Sequence, residues 1–395
     1  MKWEHSLAFA RDRDEKDILR KWREEFIFPK GSPIYLVGNS LGLQPRKAKQ
    51  YVDEVLEDWA TLGIEGHLQG RHPWYPYHEF LTESTACLVG GKPSEVVVMN
   101  GLTVNLHLML TSFYRPTKEK FQIAVEKDVF PSDRYAVESH LRNHGVDPSK
   151  GLVELQGDIP SVLEKSSSIA LVLIGNVNYL TGEAFPIEEI AAVARKKGIA
   201  FGVDLAHGAG NLKLSLHDWK VDFAVWCSYK YLNAGPGAVG GCFVHEDHAK
   251  RFDWPRLWGW WGTDKGRRFK MSPKFEPMAG AEGWQLSNPP ILQMAALRAS
   301  MECFDSVGMD ALAAKSKELT SYLEFEIPKE WQILTPASRG AHLSVKVKSK
   351  AEVDRLKENG VVCDYREPGI LRIAPVPFYN SFEDIFRFGE ICHSL

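Results

Sequence analysis

The sequence predicts an α/β fold with a mostly parallel sheet, helices on both of its faces, and a smaller C-terminal α+β domain. Short runs rich in Val and Ile alternate with segments of helical periodicity through the middle of the chain, which is typical of such a sheet. After residues 288–290 (Asn-Pro-Pro) the pattern changes to long amphipathic helices and a few short strands. A chain of 395 residues is also long enough for two domains.

The predicted strands of the first domain are short apolar runs at 95–99, 122–125, 169–174, 199–203, 223–226 and 241–244. A helix is predicted between the third and fourth strands, at 187–197, since apolar residues recur on one face. These residues are Ile187, Ile190, Ala191 and Ala194. Periodicity leaves open whether the last two strands form a hairpin or add an antiparallel strand.

The C-terminal part is predicted to contain helices at 291–307, 309–325 and 351–358 and strands at 342–348 and 371–373. The first forty residues are too few for a domain of their own. We therefore expect an N-terminal arm at 1–40 that packs with the small domain, a large cofactor-binding domain at 41–289, and a small domain at 290–395.

Composition excludes several classes of protein. The formal net charge is −3 and the basic run at 265–274 is short, so we expect no nucleic-acid partner. We expect no membrane partner, because no apolar run approaches the ~20 residues of a membrane span and the N-terminus lacks the apolar core of a signal peptide. The six cysteines are scattered without a CxxC pair, which predicts a cytoplasmic protein without a structural metal. The run at 245–248, HEDH, does not have the HExxH zinc spacing and is predicted to be a solvated turn.

The residues that follow each predicted strand are candidate ligand-binding residues, because ligands of open α/β sheets bind beyond the carboxyl ends of the strands. Leu102 and Thr103 follow the first strand and begin an apolar helix. Backbone N–H groups and a hydroxyl at a helix start can bind a phosphate, although Thr103 could equally be a simple helix cap. The second strand is followed by an aromatic ring beside small polar groups, in the run Phe130, Pro131, Ser132 and Asp133.

An acid and a lysine follow two later strands. Asp204 ends a buried run, with His207 three residues later, and a buried carboxylate needs a cation, a metal or a hydrogen-bond donor. A metal would need further ligands that the neighbouring sequence lacks, whereas a protonated pyridine nitrogen would satisfy the carboxylate. Lys230 stands between Tyr229 and Tyr231, where burial of an unpaired charge would cost several kcal/mol, roughly. A phosphate site, a ring, an acid and a lysine together indicate a pyridoxal 5'-phosphate pocket.

The sequence around these residues resembles the kynureninase family of fold-type I pyridoxal-phosphate enzymes. The resemblance is carried by residues 203–241, VDLAHGAGNLKLSLHDWKVDFAVWCSYKYLNAGPGAVGG, and by five further segments. These are YLVGNSLGLQP, MNGLTVNLHLML, DVFPSDRYA, QLSNPPI and LRIAPVPFYNS, which extend the likeness from about residue 35 to residue 382. It implies an aspartate-aminotransferase-like fold and a homodimer with shared active sites.

The resemblance implies a role for each matching residue. Lys230 binds the cofactor covalently, Asp204 pairs with its pyridine nitrogen with support from His207, and Phe130 stacks on its ring. The resemblance further implies that the phosphate is bound by Leu102, Thr103 and Tyr229. The residues implied beside the ring are Pro131, Ser132 and Asp133. Trp260 and Asn288 are implied to contribute to the pocket, partly across a dimer interface.

Substrate contacts follow from the same resemblance. Arg372 would bind the α-carboxylate, Ser40 and His67 would reach the aromatic end of the substrate together with Asn288, and Tyr229 is a candidate donor to its γ-carbonyl oxygen. One departure concerns Gly175, where relatives carry Ser or Thr. One hydroxyl contact to the cofactor is therefore missing, and Asn176 or Asn178 could replace it.

The activity that the resemblance implies is hydrolysis of L-kynurenine or 3-hydroxy-L-kynurenine to an anthranilate and L-alanine, in tryptophan catabolism or NAD biosynthesis. The pair His67 and Asn288 goes with a preference for the 3-hydroxy substrate in this family. Two alternatives stay open at this point. One is another enzyme of this cofactor class, an aminotransferase or a cysteine desulfurase with Cys363 as its nearest reactive thiol. The other is an inactive relative that serves as a binding protein.

Overall fold

A computed structural model describes residues 2–31 and 33–394, so residues 1, 32 and 395 of the predicted arm and small domain lie outside it. The strands in chain order are β1 (Phe26–Ile27), β2 (Ile34–Tyr35), β3 (Gln44–Pro45), β4 (Val96–Val98), β5 (Gln122–Glu126), β6 (Leu152–Leu155), β7 (Ile169–Gly175), β8 (Ala200–Asp204), β9 (Phe223–Trp226), β10 (Gly241–Val244), β11 (Gln332–Ile333), β12 (Leu343–Lys346), β13 (Val361–Val362), β14 (Asp364–Arg366) and β15 (Ile370–Ile373).

The helices are mostly amphipathic and connect these strands. In chain order they are α1 (Leu7–Lys16), α2 (Arg46–Leu62), α3 (Gly66–Gln69), α4 (Thr82–Val89), α5 (Leu102–Phe113), α6 (Pro131–Asn143), α7 (Pro148–Gly151), α8 (Ile159–Lys165), α9 (Ile187–Lys197), α10 (Ile291–Val307), α11 (Met309–Glu326), α12 (Lys350–Glu358) and α13 (Phe382–His393). None of the described helices combines the length and the apolar character that a membrane crossing requires.

The central sheet of the described chain has seven strands in the order β4-β10-β9-β8-β7-β5-β6. Neighbours from β9 through β8, β7 and β5 to β6 run parallel. β10 is antiparallel to both β9 and β4, which answers the question that periodicity left open. The predicted α/β class with a mostly parallel sheet is confirmed.

Side chains on alternate positions of the strands face two different helical layers. Ile123 and Val125 pack in one core with residues of α5 and α6, whereas Ala124 packs in the other core with residues of α8, α9 and α10. Burial on both faces explains why these strands read as continuous apolar runs.

The edge strand β6 is the one central strand that the sequence analysis missed. Leu152, Val153 and Glu154 are partly or fully exposed, because this strand has a neighbour on one side only. A mixed sequence such as LVEL therefore does not stand out from a loop.

The C-terminal lobe contains a four-stranded antiparallel sheet in the order β11-β12-β15-β14. The N-terminal segment packs on this lobe: α1 contacts α13, and the Asp14 carboxylate accepts the backbone N–H groups of Phe382 (2.7 Å) and Glu383 (3.0 Å). Met294 and Phe304 of α10 pack with the core of the central sheet instead. The domain boundaries derived from the sequence stay a prediction.

Candidate active site

The site lies where the central strands end. Gly175, the last residue of β7, is the register partner of Asp204, the last residue of β8, and Glu126 ends the adjacent β5. A cavity, partly open to solvent, is lined at this edge by Leu102, Thr103, Glu126, Phe130, Ser132, Asp133, Gly175, Val177, Tyr179, Asp204, Ala206, His207, Tyr229 and Lys230.

Lys230 reaches this cavity from the turn after β9. Its side chain is half-buried, and its Nζ lies 3.1 Å from His207 Nε2 and 5.9 Å from the centre of the Phe130 ring. The turn is packed tightly, because Gly42 donates its N–H to Tyr229 O (2.9 Å) and a Cβ at Gly42 would lie 2.4 Å from Lys230 O. The lysine therefore stands on a fixed segment of backbone and points into the cavity.

Asp204 and Asp133 are buried neighbours in the wall of the cavity, with 7% and 3% of their surface exposed. Asp204 Oδ1 accepts the N–H of Ala206 (2.6 Å), whereas Asp133 Oδ1 has no hydrogen-bond partner in the described chain. Burial raises the pKa of both carboxyl groups, and the charge of Asp204 raises the pKa of Asp133 further. The pair would be stabilised by a cation in the cavity.

Two helix starts meet on another side of the cavity. Thr103 follows the first residue of α5 and Ser132 the first residue of α6, and their hydroxyl oxygens are 3.0 Å apart. Backbone N–H groups in the first turn of a helix have no partner within the helix. Two hydroxyls beside such groups suit a phosphate. The Phe130 ring lies next to this position and contacts the Tyr179 ring edge-on at 5.0 Å.

A histidine pair lies behind Lys230. His207 is buried, and its ring centre is 5.9 Å from that of His342, a fully buried residue that the sequence analysis did not single out. Burial lowers the pKa of His207 well below its usual range, and the positive charge of Lys230 lowers it further. Burial also lowers the pKa of His342 to about 3. Both rings are therefore neutral at physiological pH.

Arg372 is buried beside the cavity and is held by several partners. It donates to the carbonyl oxygen of Tyr179 (2.7 Å), the hydroxyl of Ser40 (3.1 Å) and the carboxylate of Asp364. Its Nε has no partner in the described chain. The structure thus places Ser40 beside the predicted carboxylate-binding arginine, and Tyr179 connects this arginine to the cavity wall.

Six predicted site residues do not line the cavity of a single chain: Ser40, His67, Pro131, Trp260, Asn288 and Arg372. Pro131 begins α6 beside the lining residues. His67 packs against Trp74 with ring centres 5.2 Å apart, Trp260 donates from Nε1 to Arg268 O (2.9 Å), and Asn288 is exposed. Conversely, Glu126, Val177, Tyr179 and Ala206 line the cavity although the sequence analysis did not select them. Ala206 lies between the selected residues Asp204 and His207, and the other three lie just after predicted strands, where their residue types gave no sign of a chemical role.

The segment at 245–248 differs from its prediction as a solvated turn. His245 is only 2% exposed, and its ring stacks on that of His217 with centres 5.0 Å apart. Glu95, His217 and His245 could by spacing hold a metal ion. However, both Glu95 oxygens already accept backbone N–H groups at 2.8 Å, one from Lys92 and one from Glu246. Only the outer part of this segment is exposed, because His245 belongs to a buried hydrogen-bond network.

Comparison with known proteins gives both a family and a fold. The family profile described as the kynureninase C-terminal domain matches residues 312–392. The kynureninase of Myxococcus xanthus is 56% identical over 410 residues, which cover 98% of this chain and 96% of the relative. The kynureninase of Koribacter versatilis is 53% identical over 406 residues, covering 97% and 96%.

Two solved structures share this fold at much lower sequence identity. Cysteine desulfurase CsdA from Escherichia coli superposes with a TM-score of 0.80 at 16% identity, covering 95% of this chain and 98% of the other. A C-DES mutant with glycine covalently linked to its PLP cofactor gives a TM-score of 0.80 at 18% identity, covering 94% and 98%. At these identities the likeness shows the fold.

The side chains of the cavity fit the predicted cofactor. Lys230 offers an amine, the buried and incompletely bonded pair Asp133 and Asp204 offers an acid for a ring nitrogen, and Thr103 and Ser132 offer hydroxyls at two helix starts. Pyridoxal 5'-phosphate is the cofactor of this protein, as predicted. With more than half of its residues identical to those of kynureninases over nearly its whole length, the chain belongs to the kynureninase family.

Proposed function

We propose that this protein hydrolyses the Cβ–Cγ bond of L-kynurenine, or of its 3-hydroxy form, to L-alanine and an anthranilate, which makes it a hydrolase of carbon–carbon bonds. The observation that carries this proposal is the presence of Lys230 and Asp204 in one cavity of a chain that belongs to the kynureninase family. Arg372, close to the same cavity, offers a guanidinium for the substrate's α-carboxylate.

Lys230 would hold the cofactor through its amine, and Asp204 would pair with the ring nitrogen. A buried carboxylate favours a positive partner, so this pairing would keep the ring nitrogen charged. Bound pyridoxal 5'-phosphate supplies an electron sink for the bonds that change at the substrate's α- and β-carbons. The hydroxyls of Thr103 and Ser132 would bind the phosphate, and the Phe130 ring would cover one face.

Lys230 would also move the proton at the α-carbon. Its amine, when free, would be placed to accept that proton as a general base. The neutral His207 ring, 3.1 Å from Nζ, can accept a hydrogen bond from the amine and so orient it.

Tyr229 is our candidate donor to the γ-carbonyl oxygen. Burial raises the pKa of its phenol, so the hydroxyl stays protonated at neutral pH and can stabilise negative charge on that oxygen. Water adds to the γ-carbonyl carbon, the Cβ–Cγ bond breaks, and the β-carbon takes a proton to become the methyl group of alanine. The γ-carbon leaves as the carboxylic acid of the anthranilate.

A fluorescence assay with the purified, cofactor-loaded protein tests this function. We expect anthranilate or 3-hydroxyanthranilate to appear in equal amount with L-alanine and without a keto-acid acceptor. A requirement for such an acceptor would instead identify an aminotransferase. Failure to turn over either substrate despite bound cofactor would support a binding protein.

A cysteine desulfurase is disfavoured by the state of Cys363. Such an enzyme needs a reactive thiolate, and burial raises the pKa of the Cys363 thiol to about 12. This thiol therefore stays protonated, and we expect no release of sulfur from cysteine.

We also propose a preference for 3-hydroxykynurenine. His67 and Asn288 supply polar groups that could bond a ring hydroxyl, and such groups left unpaired would disfavour the unhydroxylated substrate. A comparison of kcat/KM for the two substrates decides this point, and a clear preference for kynurenine would contradict it. Either product fits a role in tryptophan catabolism, and 3-hydroxyanthranilate also fits NAD biosynthesis.

A homodimer with shared sites is the assembly that we propose. His67, Trp260 and Asn288 do not line the cavity of their own chain, so they would complete the site of a partner chain. Exposed apolar side chains surround these positions, as expected of an interaction surface. They include Ile64 (77% exposed), Leu68 (70%), Trp258 (70%), Phe269 (65%) and Met271 (75%).

A further inference from the structure

Gly175 has no side chain, and the side chain of Glu126 occupies the space beside it in the cavity wall. Gly175 ends β7 beside Asp204 of β8. A Cβ built on Gly175 would lie 2.8 Å from Glu126 Oε1, closer than such contacts occur. A side chain at 175 and the present position of Glu126 therefore exclude each other.

Glu126 itself is fixed in this space. It ends β5, only 4% of its surface is exposed, and its Oε2 accepts the backbone N–H of Gly175 (3.1 Å). Its carboxyl group lines the cavity together with Asp133 and Asp204. Within the described residues, the polar side chain that lies next to Gly175 thus comes from Glu126 on the neighbouring strand.

The protonation of Glu126 supports a donor role. Burial and, to a smaller extent, the charge of Asp204 raise the pKa of Glu126 to about 7, against the lowering effect of the N–H of Gly175. A large fraction of the carboxyl group is therefore neutral at physiological pH and carries an O–H, as a hydroxyl side chain would.

The two asparagines near Gly175 do not line the cavity. Asn178 Oδ1 accepts the N–H groups of Leu180 (2.9 Å) and Thr181 (3.0 Å) and holds a turn. Asn176 Oδ1 is buried against Gly208, where a Cβ would lie 2.3 Å from it, and has no hydrogen-bond partner in the described chain. Neither can replace the hydroxyl without rearrangement.

We propose that Glu126 supplies the contact missing at Gly175, and that its carboxyl group donates a hydrogen bond to the bound pyridoxal 5'-phosphate. Glu126 is then a positioning residue for the cofactor. The inference concerns cofactor binding and is independent of the substrate that the protein hydrolyses.

Cofactor titration of four variants tests this role. Glu126→Gln retains an N–H donor, Glu126→Ala removes the donor, Gly175→Ser adds a hydroxyl beside Glu126, and Glu126→Ala/Gly175→Ser places that hydroxyl in vacated space. The dissociation constant of pyridoxal 5'-phosphate and the visible absorbance band of the bound cofactor are measured without substrate. Glu154→Ala is the control, because Glu154 is an exposed carboxylate on the adjacent strand β6.

Loss of one neutral hydrogen bond should weaken cofactor binding about tenfold in Glu126→Ala. Glu126→Gln and the control should stay near wild type, Gly175→Ser should bind more weakly, and the double variant should recover most of the loss. Thermal melting shows whether each variant is folded. The proposal is overturned if folded Glu126→Ala binds the cofactor with unchanged affinity and absorbance, or if the double variant binds no better than Glu126→Ala.

Discussion

Asp364 and Arg372 face each other as register partners on the antiparallel strands β14 and β15, and the guanidinium of Arg372 donates to the carboxylate of Asp364. Burial alone would raise the pKa of Asp364, but Arg372 and the hydroxyl of Ser40 lower it, so the pair is ionised. A buried arginine thus has its charge balanced before substrate arrives, while its Nε remains unpartnered. The arrangement fixes the plane of the guanidinium for a carboxylate ligand.

Arg372→Lys should reduce kcat/KM about 100-fold, mainly through a higher KM, because an ammonium cannot form the two parallel bonds of a guanidinium. Steady-state kinetics with kynurenine and 3-hydroxykynurenine measure this effect. Arg366→Lys is the matched control, since Arg366 also contacts Asp364 (3.1 Å) but is 45% exposed. An unchanged KM in Arg372→Lys would contradict the assignment of the α-carboxylate to this residue.

Lys230→Ala should remove both turnover and the visible absorbance band of the covalently bound cofactor, because no other amine stands in its place in the described cavity. Absorbance spectra and the anthranilate assay measure the two effects on one sample. Lys127→Ala, at an exposed lysine just after β5, should retain both. Appreciable activity in Lys230→Ala would rule out its proposed role.

Asp204→Asn should lower kcat by about 10²–10³-fold, the usual scale for loss of one preorganised electrostatic contact. The KM for substrate should change little, because the carboxylate is expected to contact the cofactor. A pre-steady-state measurement with saturating cofactor separates this effect from weaker cofactor binding. A KM effect larger than the kcat effect would place Asp204 at the substrate instead.

Stability of the cofactor-free protein should fall as the pH rises from about 5 to 8. Glu126 has a pKa of about 7 in the folded chain and 4.5 as its ordinary value. In this window the folded state holds a proton that the unfolded state has lost, so unfolding becomes easier with rising pH. Over this pH range, the free energy of unfolding of the wild type should fall by about 2–3 kcal/mol more than that of Glu126→Gln. Urea unfolding at several pH values measures the difference, and parallel profiles would show that Glu126 ionises normally.

Mixed dimers test whether the active sites are shared. Lys230→Ala and Asn288→Ala should each be nearly inactive alone, but a hybrid dimer would contain one site with both residues intact. Random exchange makes half of the dimers hybrids, so about a quarter of the wild-type sites should return. Activity after denaturation and refolding of the mixture measures the recovery. No recovery, despite dimers in sedimentation, would place both residues in the same chain's site.

The sequence predicted those parts of the site that are local to a strand and the turn after it. Lys230, Asp204 and Thr103 each follow a buried apolar run, so topology alone brings them to one edge of the sheet. The sequence analysis did not select Glu126, because the role proposed for it depends on its contact with Gly175. These two residues are neighbours only through the pairing of β5 with β7. The contact between Ser40 and Arg372, 332 residues apart in the chain, depends on packing of the N-terminal segment against the C-terminal lobe, which no local pattern reveals.

Helix α1 is synthesised well before α13, on which it packs. The hydrogen bond from the backbone N–H of Phe382 to the Asp14 carboxylate can form only after 368 further residues have been synthesised. During translation, Ala10 and its apolar neighbours therefore stay exposed to solvent until α13 has been synthesised. Helices α1 and α13 therefore complete this core together, and deletion of either helix would expose the apolar residues of the other.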